Sequence, residues 1–351
     1  FYHDVVRPLL DTHFPKLPHS AALIGYGSDV LGYDTALSTD HNWGPRLQLF
    51  LAPADYATHR DALDQLLRRQ LPHTFLGYAV NFSEPDLADG GTQRMAAGSV
   101  KEVRHLIEIK TIADYFRRYL GRDPFAPLAS IDWLTLGEQK LLEVTAGRVF
   151  HDGLGELDAL RQKFAYYPDD IWRYRLAAQW TRIAQEEAFM GRCGDVGDEL
   201  GSRIVAARLV RDLMRLGFLL ERRYAPYSKW FGTAFGKLAC GPQLTPLLNR
   251  VLDSHPWQAR QEPLCAAYVI LAELQNALAI AERVEPAITD YFNRPYKVIF
   301  AGRFADALKA AIHDETIRAL PGDIGGADQL VDSTDVTSNA AVMQKLRALY
   351  G

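Results

Sequence analysis

The chain has 351 residues, 48% hydrophobic, 11% aromatic and 23% charged, which suffices for two domains with buried cores and excludes a disordered chain. Its 43 acidic and 39 basic residues give a formal net charge of −4, which offers no global attraction to nucleic acid or anionic lipid. No stretch approaches the ~18 to 20 consecutive apolar residues of a membrane helix, so no membrane partner is expected. The scattered Cys193, Cys240 and Cys265 lack CxxC spacing, which argues against a disulfide framework or cysteine zinc site and suits a reducing, cytoplasmic setting.

Phe1, Val5 and Leu9 recur at four-residue spacing. They predict an amphipathic helix over Phe1–Leu10 that the sequence meets in its middle, as if the natural chain began earlier, and nothing there has the form of a signal peptide. Ala21–Gly25 reads as a short strand closing on a glycine turn, and Arg46–Leu51 as a second strand. Tyr56–Arg69 has helical spacing, with Ala62, Leu66 and Leu67 on one side, and stops before Pro72. Phe75–Phe82 and His105–Ile112 are further strand candidates, separated by a glycine-rich polar stretch around Asp86–Gly98. From about Tyr115 the strand signals fade into helical patterns. Trp172, Leu176, Trp180 and Ile183 step by 4, 4 and 3; Leu209, Leu213, Leu216 and Leu220 by 4, 3 and 4; Leu264, Tyr268, Leu271, Leu274 and Leu278 by 4, 3, 3 and 4. Each stripe lies on one helix face, as a bundle requires. The expected organisation is α+β: a small mixed-sheet domain over 1–122, then a larger α-helical domain over 123–351, with the boundary around Gly121–Pro127.

The segment Leu23–Arg46 carries the most chemical information. An apolar strand runs into Gly27-Ser28, and eleven residues separate Ser28 from Asp40. Glycine then serine at a strand end lets backbone and hydroxyl approach a phosphate closely. An acid after a fixed gap can hold a divalent cation against that phosphate. A turn followed by a helix-capping Asp is the plainer alternative. His41 can orient Asp40 or play a structural part, and Trp43 can stack on a base or anchor the loop. Between Arg203 and Lys229 seven basic residues face two acids, and Arg208, Arg211, Arg215 and Arg222 share a helix face. Guanidinium forks suit phosphate oxygens, although a solvated face is the usual outcome of such a run. HExxH, Walker A, GxGxxG and GxSxG patterns are absent.

The Gly-Ser turn with its later acid resembles the signature of the polymerase-β-type nucleotidyltransferase superfamily, in which an acid, one residue and a second acid follow the turn. The blocks Gly27–Gly32 and Ser38–Arg46 are also similar to the bacterial family labelled a domain of unknown function, DUF4037. That likeness continues in Gly147–Asp152, Tyr167-Pro168, Gln185-Glu186, Gly191-Arg192, Gly197-Asp198, Gly201-Ser202, Arg222–Trp230 and Asp328–Asp335. The resemblance implies metal-dependent transfer of a nucleotidyl group from an NTP to an unidentified acceptor. Gly27 and Ser28 would hold phosphates, Asp40 and Asn42 would face Mg²⁺ or Mn²⁺, and Glu108 would act as base. Lys229, Arg208 and Arg211 from the helical domain would offset phosphate charge. For Glu108, a surface pair with Lys110 is the alternative. Asn42 stands where the pattern wants the second acid, and Trp43-Gly44-Pro45 interrupts the strand that should carry both. Asp29 or Asp34 would then supply the second ligand, or the protein is a nucleotide-binding or sensing module without transfer. Nucleic acid is not a favoured partner.

Overall fold

Leucines at 47, 49 and 51 alternate with Arg46, Gln48 and Phe50, so one strand presents an apolar face and a mixed one. That strand is central to the first of two units. The computed structural model describes residues 1–98, 100–322 and 324–351, and divides them into Phe1–Pro127 with Lys140–Ala165, and Leu128–Gln139 with Tyr166–Gly351.

In the first unit a π-helical turn, Tyr2–Val6, runs into α1 (Arg7–His13). There follow β1 (His19–Leu23), the four-residue α2 (Ser28–Leu31), β2 (Arg46–Leu51) and α3 (Pro53–Gln70). The expected strand Phe75–Phe82 is instead a minimal hairpin of β3 (Thr74–Phe75) and β4 (Tyr78–Ala79). Leu76 (φ 48°) and Gly77 (φ 85°) occupy its two-residue turn, and positive φ at both positions is what a tight hairpin turn with matching twist demands. β5 (Leu106–Lys110) and α4 (Ile112–Leu120) come next. Helix α5 (Ser130–Leu134) belongs to the second unit, and α6 (Glu138–Thr145) enters the first at Lys140. The first unit closes with β6 (Arg148–Asp152) and α7 (Leu157–Lys163).

The four-stranded sheet has the order β5-β2-β1-β6, with β1 antiparallel to both neighbours and β2 parallel to β5. One face carries Ala21, Leu47, Leu49, Ile107 and Ile109 into a core with Val6, Leu10, Leu63 and Leu67. Each of these larger side chains contributes about 1.5–3 kcal/mol by leaving water. The other face carries Arg46, Gln48 and Glu108, with Gln48 opposite Glu108 in register. β6 falls beyond the point where strand signals fade: its residues are half-buried or exposed, so no apolar alternation marks it.

The second unit is mostly helical: α8 (Asp169–Glu186), α9 (Phe189–Asp195), α10 (Glu199–Leu220), α11 (Ser228–Phe235), α12 (Gly241–Asp253) and α13 (Trp257–Ala277). A hairpin of β7 (Thr289–Tyr291) and β8 (Arg294–Val298) precedes α14 (Gly302–Ala310) and the short helices α15 (Glu315–Arg318), α16 (Ala327–Leu330), α17 (Thr334–Ser338) and α18 (Ala340–Lys345). The Trp172, Leu176, Trp180 and Ile183 stripe is buried, as is the Leu209–Leu220 stripe. Trp172 Nε1 donates to the Leu219 carbonyl at 2.6 Å, and Trp180 stacks on Phe304. The third stripe is buried through Leu271, but Leu278 lies past the end of α13 and is exposed. Among the described residues no helix is long and apolar enough to cross a membrane.

A network of charges is enclosed in this unit. Arg175 Nη2 donates to Glu138 Oε1 and to Asp328 Oδ1 at 2.9 Å, and its guanidinium lies 4.5 Å over the Tyr167 ring. Glu138 also accepts from the Ala225 amide at 3.0 Å, and Asp328 from the Glu138 amide at 2.9 Å. Burial opposes the charge on Arg175, but Asp328, Tyr167 and Glu138 outweigh it and raise its pKa.

Candidate functional site

The first unit's glycine turn is built by close approach. At Gly25 (φ 94°) a Cβ would stand 2.3 Å from both the Tyr115 and Tyr119 hydroxyls; at Gly27 (φ 127°) it would stand 2.3 Å from Arg46 Nη2 and Asp29 Oδ1. Neither position accepts a side chain in that backbone conformation. The same neighbours hold the turn. Tyr115 donates to the Ile24 carbonyl at 2.9 Å, the Ile24 amide to Gln48 Oε1 at 3.0 Å, and the Gly25 amide to the Glu143 carbonyl at 2.7 Å. Arg46 donates to the Tyr26 carbonyl at 2.9 Å and forks onto Asp29 through Nη2 (2.6 Å) and Nε (3.1 Å). Burial drives the Tyr119 hydroxyl up to about 12, so it is a neutral donor and acceptor here. Ser28 opens α2, and its hydroxyl has no hydrogen bond among the described residues.

Register places the site's parts at one end of the sheet. Ala22 pairs with Gln48 in the antiparallel β1–β2 ladder, and Arg46 pairs with Leu106 in the parallel β2–β5 ladder. The exit of β1, the entry of β2 and the entry of β5 therefore share an end. The Gly25–Ser28 turn, the loop Asp40–Gly44 and the first residues of β5 gather there.

Asp40 closes a 3-10 turn, Ser38–Asp40, and has no strand face of its own. Its carboxylate is 58% exposed and meets His41 Nδ1 at 2.8 Å; that hydrogen bond lowers its pKa. His41 Nε2 lies 3.6 Å from Asp89, so His41 bridges two acids. Asn42 adopts φ 46°, which asparagine tolerates better than most residues. Its amide donates to the Gln93 carbonyl at 2.8 Å, and its Oδ1 accepts from the Gln93 amide at 2.9 Å. The oxygen expected to face a cation is thus engaged by backbone. The substitutes are engaged too: Arg46 takes both oxygens of Asp29, and Trp43 Nε1 donates to Asp34 at 3.2 Å. Trp43 also packs edge-on against Tyr78, so it anchors the loop.

Glu108, 26% exposed, pairs with Arg118 Nη1 at 2.9 Å rather than with Lys110. In the second unit, Arg208 spends its fork on Glu186 (2.9 and 2.6 Å), and Arg211 meets Asp332 at 3.2 Å. Arg222 pairs with Asp169 and covers the Trp172 ring. The arginine run is therefore mostly a set of local ion pairs. Lys229 is exposed, lies 5.5 Å over the Trp230 ring and has no ion pair among the described residues.

Sequence reasoning passed over Arg46, Gln48, Tyr115 and Tyr119, which fix the turn. Their signal was present: two polar residues alternating with leucines on β2, and tyrosines four apart on α4. Among the described residues no three His, Cys, Asp or Glu side chains gather to hold a metal.

Residues 133–231 match the family model described as a domain of unknown function (DUF4037). No curated protein and no solved structure matches the chain. The matched stretch runs from Trp133 in α5 to Phe231 in α11 and contains neither the glycine turn nor Asp40 nor Glu108.

Proposed function

We propose that the first unit is a nucleotidyltransferase site of the polymerase-β type that transfers a nucleotidyl group from an NTP to an acceptor hydroxyl. The observation that supports this reading is the shared sheet end: a glycine turn that admits no side chain and the loop with an exposed acid adjoin it, and β5 carries an acid on the face that bears Arg46 and Gln48. Gly27 and the free Ser28 hydroxyl would receive phosphate oxygens. Asp40 alone is a thin donor set, yet Mg²⁺ commonly binds through one or two carboxylates together with substrate phosphates. It therefore fits a cation that arrives with the NTP, which would offset phosphate charge. The acceptor oxygen would bond to the α-phosphorus as pyrophosphate leaves, with the acceptor proton passing to Glu108 once Arg118 moves aside.

The second reading is a nucleotide-binding or sensing module without transfer. The hydrogen bond from the Gln93 amide to Asn42 Oδ1 favours it, because it removes the second metal ligand. Incubation with each labelled NTP, Mg²⁺ or Mn²⁺ and a cell extract tests both readings. A labelled product that Asp40→Ala abolishes supports transfer; metal-dependent NTP binding without product supports the module; no NTP binding overturns both.

A further inference from the structure

Within the second unit a pocket of about 240 Å³ is bounded by the middle of α10, the start of α11 and the Val331–Thr337 segment. Two arginines one helical turn apart, Arg211 and Arg215, face it. Arg215 is half-buried, and its one hydrogen bond among the described residues runs from Nη1 to the Asp328 carbonyl at 2.9 Å. Burial lowers its pKa, and Arg211 lowers it further against the pull of Glu138 and Asp328. Arg211 and Arg215 thus present two guanidinium groups to one cavity, an arrangement suited to an anion with several oxygens. Among the described residues Arg211 has one ion pair, a 3.2 Å contact to Asp332, whose carboxylate is 72% exposed and easily displaced. The hydroxyl residues Ser228, Thr334 and Thr337 complete a polar lining, while Phe231 and Val331 give an apolar wall.

We propose that this pocket binds a small phosphomonoester, its phosphoryl group on Arg211 and Arg215 and its carbon body against Phe231. Guanidinium forks match phosphate oxygens in a bidentate way. The volume falls below the ~300–1,000 Å³ of pockets for drug-sized ligands, which favours a ligand no larger than a sugar phosphate. No metal and no residue of the proposed transfer site in the first unit takes part, so the inference stands apart from that reading.

The test is calorimetric titration of the full chain in EDTA with ribose 5-phosphate, orthophosphate and ribose. Ribose 5-phosphate should bind, orthophosphate about tenfold more weakly, and ribose not at all, tenfold being the scale of one net hydrogen-bonding contact. Arg211→Gln should weaken ribose 5-phosphate about tenfold or more, whereas Asp332→Asn should tighten it by removing the competing carboxylate. Asp40→Ala should leave it unchanged. A purely structural Arg211–Asp332 clasp predicts that both variants weaken binding alike, and that result would overturn the proposal. So would the absence of phosphate binding, or equal affinity for orthophosphate and ribose 5-phosphate, which would indicate a bare-anion site.

Discussion

The two units use charge in opposite ways. Around the first unit's glycine turn, Asp40 and Glu108 reach solvent and each has one neutralising or orienting partner. At the centre of the second unit Arg175 has no exposed surface and binds two acids from distant parts of the chain. Carboxylates occur in both places, and their surroundings differ. An exposed acid can be exchanged for a ligand contact at little cost, whereas an enclosed one is tied to holding helices together. The matched stretch, residues 133–231, takes in Glu138 and Arg175 of the enclosed network, while Asp328 lies outside it.

Removing one partner of the enclosed network gives the largest expected effect. Arg175→Ala removes the cation that hydrogen-bonds both Glu138 and Asp328 and should cost about 3–5 kcal/mol in chemical denaturation. Asp40→Ala in the first unit should stay within about 0.5 kcal/mol of the parent. Equal losses in the two variants would erase the contrast between the units.

The second effect depends on pH. Glu187 is buried at the end of α8, where it accepts from the Ile299 and Ala301 amides at 2.9 and 3.1 Å, and burial pushes its pKa from 4.5 up to about 7. The folded state therefore binds this proton more tightly than the unfolded state does. Stability from this group is present below pH 4.5 and is lost as pH rises towards 7, by roughly 3 kcal/mol. Glu187→Gln should flatten that slope and make the protein more resistant to urea at pH 8 than the parent. An unchanged slope between pH 5 and 8 would remove Glu187 from the account.

Third, Gly27→Ala should cost about 1–3 kcal/mol, because alanine is strained at φ 127° and its methyl would displace Arg46 from Asp29. NTP binding should fall with it, read as a smaller ligand-induced rise in Tm. A parent-like Tm shift would mean that the turn does not hold phosphate.

These effects also mark what the sequence made legible. The Trp172 and Leu209 stripes and the strands at β1, β2 and β5 follow from periodicity and short apolar runs, because their buried residues are neighbours along the sequence. The network of Arg175, Glu138 and Asp328 does not follow, since Glu138 and Asp328 lie 37 and 153 residues from Arg175 and share no period with it. The glycine turn was legible as a motif, but its reason was not: the tyrosine hydroxyls that exclude a Cβ at Gly25 come from α4, 91 residues beyond Ile24 in the case of Tyr115. Spacing also could not reveal that Asn42 turns its oxygen to Gln93, a contact set by a positive φ in a loop without regular structure.

The smallest expected effect on stability, and the sharpest on function, comes from Asn42→Asp. A carboxylate can accept the Gln93 amide as the carboxamide does, so the variant should unfold within about 0.5 kcal/mol of the parent. Its added charge lies two residues from Asp40 at the shared sheet end. Two-metal transfer places cations ~3.5–4 Å apart and relies on carboxylates to offset their repulsion. On the proposed transfer reading, in which Asp40 is the charged ligand from this loop, the parent should therefore demand high metal or prefer Mn²⁺. The variant should need less metal and transfer faster, measured as labelled product against Mg²⁺ concentration. A gain in metal affinity without turnover for any acceptor would favour the binding module. If neither changes, the aspartate has stayed with Gln93 and faces no cation. Position 42 would then serve structure alone, like Arg175 in the second unit, and the contrast between the units would narrow to Asp40 and Glu108.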